Sequence, residues 1–299
     1  MGSLQGTARQ LRSAKKKPNW WVGPGSESGF CQISVYTGLG VPDTNSSIPS
    51  PSAGFPLSIE EELPMGTMQV GMVGTDGIVL ASDTLWSIPA TRRETFNASK
   101  LRVDCARGLA ISCARSLETA TMIAERLLSD LSDAELSETG RGCCSAIERI
   151  AQTFIGHRDL RSDIQCLIVS VRPTFRLFRL YSGPFFEGVR QMECQEVTDK
   201  SIAGDEANPA IFWSESYYEH RPIRTLVFLA AHLVVTARKF NSGTIDGLEV
   251  LLCDRSGIRH LDEKSIRTLK RKAKRFDENL RGKFASYSQE FTYTPNVIG

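Results

Sequence analysis

No Cys-x-x-Cys pair occurs among the eight cysteines of this 299-residue chain, and its four histidines are scattered without metal-ligand spacing. The first absence argues against a zinc ribbon or a redox motif, and the second against a histidine-built metal centre. Nothing in the pattern asks for a metal or a cofactor. Formal net charge is only +2, too small an excess to gather nucleic acid or an anionic membrane around the whole molecule. The basic cluster Lys15-Lys16-Lys17 is not followed by the apolar core of a secretory signal. Gly6 stands where a myristoylation motif needs serine or threonine. The longest apolar stretch, Leu226 to Ala237, is interrupted by His232 and Thr236 and is too short to span a bilayer. No internal repeat is visible. These absences together predict a cytoplasmic protein with no membrane or nucleic-acid partner. Its thiols are expected to be buried and unpaired, as suits a reducing compartment.

What is present begins late in the chain. Residues 1–64 read as a disordered leader, a propeptide or an over-extended start before Met65, because Ser, Gly and Pro dominate Thr44 to Pro56 and hydrophobic periodicity is weak. From residue 65 onward the pattern is that of a single domain, and a hydrophobic content of 41% is ample for one core. Met68–Val73 and Ile78–Ser82 read as a hairpin closed by Thr75-Asp76-Gly77. Lys100–Asp104 and Gly108–Ser112 form a second hairpin. Helical periodicity follows over Leu117–Leu131, with Ser116 as its cap, and over Cys143–Phe154. Strands are expected at Gln165–Val171 and Phe175–Leu180. Helices follow at Pro209–Tyr218 and Pro222–Phe240, then a hairpin over Gly247–Leu261, and a final amphipathic helix from about Glu263 to Ala285. Segregated runs of strands and helices indicate an α+β protein, with two sheets face to face and helices outside. His232 is expected to be a hydrogen-bonded core residue. The basic run Lys270-Arg271-Lys272 reads as a solvated helix face, and the apolar tail Phe291–Val297 as a segment that packs on the body or on a neighbouring subunit.

The chemistry-bearing stretch opens at Gly66-Thr67, at the head of the first strand, with Asp83 sixteen residues on (83 − 67 = 16) and Lys100 further along. Singly these residues have plain readings: Asp83 as a turn cap, Lys100 as a surface lysine, Thr67 as a strand residue. Together they suggest a nucleophile. A threonine hydroxyl needs a base, and a threonine at the chain terminus has one in its own α-amine, which titrates at about 7.7–8.0.

Gly66-Thr67-Met68-Gln69-Val70-Gly71, Asp76-Gly77-Ile78-Val79-Leu80-Ala81-Ser82-Asp83 and Ser99-Lys100-Leu101 resemble the opening of proteasome-type β subunits, which are N-terminal-nucleophile (Ntn) hydrolases. Weaker echoes occur at Ile202-Ala203-Gly204 and Asn241-Ser242-Gly243. The resemblance implies a four-layer αββα sandwich and a threonine peptide or amide hydrolase activated by removal of residues up to Gly66. In that reading Thr67 attacks, Lys100 lowers the proton affinity of its hydroxyl, and Asp83 holds Lys100. A backbone N–H near Ala114 stabilises the oxyanion. Gly66 permits the turn at which the chain cleaves itself. Peptide or protein substrates and a homo-oligomer are implied, with a ring and an unfoldase partner as the family's further expectations.

Four departures from the family pattern stand out. Lys100 falls one residue later than usual. Asp205 replaces the serine usual after Ile202-Ala203-Gly204. The aspartate usual before the long helix has no clean match, and Glu219 or His220 lie nearest. Arg115 stands where small residues are usual, and in the pocket it would favour acidic side chains. Asp205 and the lack of a clean aspartate near 219–220 also suit a subunit that kept the fold and lost the chemistry. A small-molecule amidase of the wider superfamily is a third reading.

Overall fold

The computed structural model describes residues 66–87, 95–115, 117–155, 164–186 and 189–290. The leader, the Ser116 cap and the C-terminal tail lie outside them. Ten of the strands form two antiparallel sheets of five. The first has the order β10 (Lys200–Gly204), β1 (Met68–Gly74), β2 (Gly77–Ser82), β11 (Glu249–Asp254), β12 (Gly257–His260). The second has the order β5 (Leu101–Asp104), β6 (Leu109–Arg115), β7 (Ile164–Ser170), β8 (Arg176–Phe186), β9 (Val189–Val197). A small hairpin, β3 (Leu85–Ser87) and β4 (Thr95–Asn97), stands apart from both.

Strand alternation distributes the apolar side chains among three clusters. Ile78, Leu80 and Leu251 of the first sheet meet Ala110, Ala114, Leu167, Val169 and Leu177 of the second. The sheets approach closely at Gly71, where a β-carbon would lie 3.0 Å from Leu177 Cδ1. The far face of the second sheet, through Ile111, Ile168 and Phe178, packs on helices α1 (Leu117–Asp130) and α3 (Arg141–Ile155). The far face of the first, through Met68, Val70 and Val79, packs on α5 (Ile223–Phe240), with Ile266 and Leu269 of α6 (Glu263–Glu290) at the margin. The residues that bury α1 are Ala120, Ile123, Ala124 and Leu127, at the three- and four-residue spacing that puts them on one face.

Four features differ from the sequence expectation. A short helix α2 (Asp133–Ser137) follows α1, started by a capping box of Ser132 and Glu135. The expected helix over Pro209–Tyr218 is split into a 3-10 turn, Pro209–Ile211, and α4 (Phe212–Tyr217). Strand β9 has too polar an alternation to register as a core strand, because it is the sheet's edge. Its outward N–H groups at Met192 and Cys194 donate to Gln152 Oε1 and Glu148 Oε1 of α3, each at 2.9 Å. Side chains of the helix thereby close an edge that would otherwise be open to pairing. Lastly, α6 outruns the body. Ala273 is buried and Phe276 packs on Trp213, Phe228 and His232, yet Phe276 and Phe284 are still 37% and 65% exposed, so the apolar stripe that the periodicity marks is only partly covered toward its end. No described helix is long and apolar enough to cross a membrane.

His232, on α5, is buried as expected, yet neither ring nitrogen has a hydrogen-bond partner. Trp213, Phe228 and Phe276 surround it. The Asp277 carboxylate lies 3.6 Å from Nε2 but is bound to Lys239. Burial, assisted by the Lys239 charge, pushes the imidazole down to about 4. The unfolded chain therefore binds a proton between roughly pH 6.5 and pH 4 that the folded chain does not, and stability falls as pH drops through that window. Urea unfolding at roughly pH 7 and pH 5 is expected to show a loss of about 2 kcal/mol from this group. His232→Phe, which fills the same aromatic niche, is expected to remove that loss.

Candidate active site

Three strand ends converge between the sheets. Thr67 immediately precedes β1, and by alternation its side chain points the same way as Gln69, toward the second sheet. Asp83 immediately follows β2, and Lys100 immediately precedes β5. Lys100 Nζ donates to Thr67 Oγ1 at 3.2 Å and to Asp83 Oδ2 at 2.8 Å. Lys100 and Asp83 are fully buried, and Thr67 is 4% exposed. The other contacts of the Asp83 carboxylate are backbone donors, Met68 N at 2.9 Å and Leu85 N at 3.2 Å. The first of these folds Asp83 back onto the residue after Thr67. The Trp86 ring lies 4.7 Å from Lys100 Nζ and covers the ammonium on a further side.

Burial dominates the protonation of this pair. It pushes the Lys100 ammonium below the usual lysine range, against the opposing attraction of Asp83. It pushes the Asp83 carboxyl above its usual range, against Lys100 and the two backbone donors. A cation held this close to Oγ1 stabilises the alkoxide, so the hydroxyl yields its proton more readily.

The backbone around Thr67 is held just as closely. Asp205 N donates to Thr67 O at 2.7 Å. Gly204 has φ +103°, and a β-carbon there would lie 2.1 Å from Thr67 O, so glycine is required on both counts. At Gly66 a β-carbon would lie 2.0 Å from Thr244 Oγ1 and 2.7 Å from Asn241 Nδ2. Gln69 ties β1 to the second sheet, accepting from Ser112 Oγ at 2.7 Å and donating through Nε2 to Cys113 O.

No protein-family model matches the chain, and no curated protein sequence does. Solved structures do match. Anbu from Yersinia bercovieri, described as an ancestral β subunit, superposes with a TM-score of 0.56 at 16% identity, over 77% of this chain and 100% of that one. The Gly-1 mutant of Anbu from Hyphomicrobium sp. strain MC1 gives 0.54 at 14% identity, over 75% and 100%. Anbu from Pseudomonas aeruginosa, solved as a helical assembly, gives 0.55 at 12% identity, over 78% of this chain and 100% of that chain. The fold is proteasome-like.

Within that proteasome-like fold the remaining sequence-derived positions fall as follows. Ala114 is fully buried near the end of β6 and pairs with Gln165 of β7. Arg115 closes the strand with φ +75°, a conformation unusual for a side chain larger than glycine and most often found where function holds the backbone. Asp205 lies beside Thr67, and its Oδ2 accepts from Asn208 Nδ2 at 3.0 Å and Asn241 Nδ2 at 3.4 Å. Glu219 and His220 do not join this group. They are exposed and lie next to Arg221, whose carbonyl accepts from Thr75 N at the opposite end of β1. The loop after α5, with Asn241 and Thr244, occupies the corner instead.

Sequence reasoning missed Gln69, Trp86, Asn208 and Thr244. Polar residues inside strands are individually unremarkable in a sequence, and only the facing sheet shows what Gln69 holds. The one legible signal was the echo at Asn241-Ser242-Gly243. Thr244 Oγ1 is buried with no hydrogen-bond partner, and it faces Gly66.

Proposed function

We propose that this chain is a threonine-nucleophile hydrolase of peptide or amide bonds, active once residues up to Gly66 are removed, on a four-layer αββα body. One observation carries the reading: the buried ammonium of Lys100 lies 3.2 Å from Thr67 Oγ1 while Asp83 anchors it from the other side. The three packed clusters, helix on sheet, sheet on sheet and sheet on helix, support the layer order.

In this mechanism Thr67 Oγ1 attacks the scissile carbonyl and its proton passes to the freed α-amine. Lys100 remains charged and stabilises the alkoxide. The amine is held by the corner that now encloses Gly66, with the orphan Thr244 hydroxyl as acceptor and the Asp205–Asn241 pair beside it. The developing oxyanion is met by backbone at the end of β6, near Ala114. Cys113 N donates to Lys100 O, and alternation sends the Arg115 N–H to the same side of the strand. The Arg115 side chain at the mouth would favour acidic residues in the substrate. The helical assembly of the Pseudomonas aeruginosa Anbu supports a homo-oligomer of this chain.

Intact mass of the purified protein is expected to correspond to a chain that begins at Thr67, together with hydrolysis of fluorogenic peptides. A chain that keeps Gly66 and cleaves neither peptides nor simple amides would leave the fold with a structural role only.

A further inference from the structure

An open groove of about 580 Å3, with no residue of the Thr67 site in its lining, lies between α3 and the edge strand β9. Two thiols line it. Cys144 projects from α3, and Cys194 from β9 packs against the same apolar cluster. The two elements are fastened at this level, because Cys194 N donates at 2.9 Å to Glu148, one helical turn along from Cys144. Both cysteines are free. Three carboxylates around the groove are engaged: Glu148 accepts from Cys194 N, and the other two are Glu193 and Glu196. Glu193 accepts from Tyr181 Oη at 2.7 Å, and Glu196 takes both 2.8 Å bonds of Arg176.

We propose that Cys144 and Cys194 form a peroxide-sensitive dithiol that closes to a disulfide between α3 and β9. This lies outside the hydrolase reading and does not depend on it. The Cys144 sulfur attacks one peroxide oxygen, the O–O bond breaks, and Cys144 becomes a sulfenic acid as one water leaves. The Cys194 sulfur then attacks the sulfenic sulfur. An S–S bond forms, the S–O bond breaks, and the departing hydroxide leaves as a second water with the Cys194 proton. Two thiols and one hydrogen peroxide thus give one disulfide and two waters. Environment divides the roles in this order. The hydrogen bond from Cys194 lowers the Cys144 thiol, while that same bond and burial keep Cys194 protonated.

The molecule carries its own control. Cys113 and Cys166 stand directly opposite each other on β6 and β7, but they are 1% and 0% exposed and line no cavity described here. Cys144 is 5% exposed and Cys194 half-buried, and both line the groove. Access for a small oxidant distinguishes the two pairs.

The test treats the full-length chain with hydrogen peroxide, blocks the remaining thiols with N-ethylmaleimide and maps tryptic peptides by mass spectrometry. A Cys144–Cys194 linked peptide is expected, lighter by about 2 Da than the two free thiols, reversed by dithiothreitol and formed at least roughly tenfold faster than any Cys113–Cys166 link. In Cys194→Ser the Cys144 sulfenic acid is expected to persist and be trapped by dimedone. Recovery of Cys144 and Cys194 as separate blocked thiols overturns the proposal. So does a Cys113–Cys166 link that forms as fast, or loss of dimedone labelling at Cys144 in the Cys194→Ser protein.

Discussion

Thr67→Ala is expected to lower peptide and amide hydrolysis by about 10^3-fold or more and to leave the leader attached. In the proposed mechanism the hydroxyl attacks, and no second hydroxyl stands in for it at Lys100, because the ammonium's other hydrogen bond goes to Asp83. The fold should tolerate the change. The substitution removes one hydrogen bond, worth about 1 kcal/mol, and leaves the buried ammonium paired. Thr67→Ser keeps the nucleophile but loses the methyl group that restricts χ1, so partial activity and processing are expected. Intact mass and a fluorogenic peptide assay read both outcomes. Undiminished hydrolysis by the alanine variant would remove Thr67 from the mechanism, whatever the state of the leader.

Lys100→Met is expected to cost activity and stability together. Activity should fall about 10^3-fold, since the cation proposed to stabilise the alkoxide is gone. Stability should fall by about 3–5 kcal/mol, the usual effect of leaving one member of a buried ion pair alone. Asp83 is fully buried, and its remaining partners are the two backbone donors of Met68 and Leu85. The double variant Asp83→Asn/Lys100→Met separates the two effects. With no lone charge in the interior, about 2 kcal/mol of stability should return, while hydrolysis stays lost. Denaturant unfolding and the peptide assay measure the two quantities independently. A single variant that stays as stable as the parent would show that Asp83 is held neutral without its partner. A double variant that regained activity would show that the ammonium is not required.

The separation of these effects also shows which parts of the site could be read in advance. Thr67, Asp83 and Lys100 were recognisable through the resemblance to proteasome-type β subunits, while local pattern fixed the strand ends beside them: apolar alternation sets β1 and β2, and the Thr75-Asp76-Gly77 turn sets their register. With Gln69 opposite Ser82, Met68 falls beside Asp83, so that contact follows from the hairpin alone. The approach of Lys100 does not. It requires the second sheet to lie over the first, and the Gln69–Cys113 and Gly71–Leu177 contacts that align the sheets join residues more than forty positions apart in the chain. The same limit explains the misplaced partner. Glu219 and His220 precede α5 in sequence as the family pattern suggests, yet α5 runs so that its far end, at Asn241 and Thr244, meets Gly66.

Local sequence determined the hairpins and the helical faces of α1, α3 and α5, because periodicity and turn chemistry act over a few residues. Tertiary packing decided that a lysine would be buried against Thr67, that polar β9 would be a strand under the cover of α3, and that Phe276 of α6 would meet Trp213 and His232. Each of those outcomes depends on which surface arrives from a distant part of the chain. Burial, which sets the charge state of Lys100, Asp83 and His232, exists only once those surfaces have met.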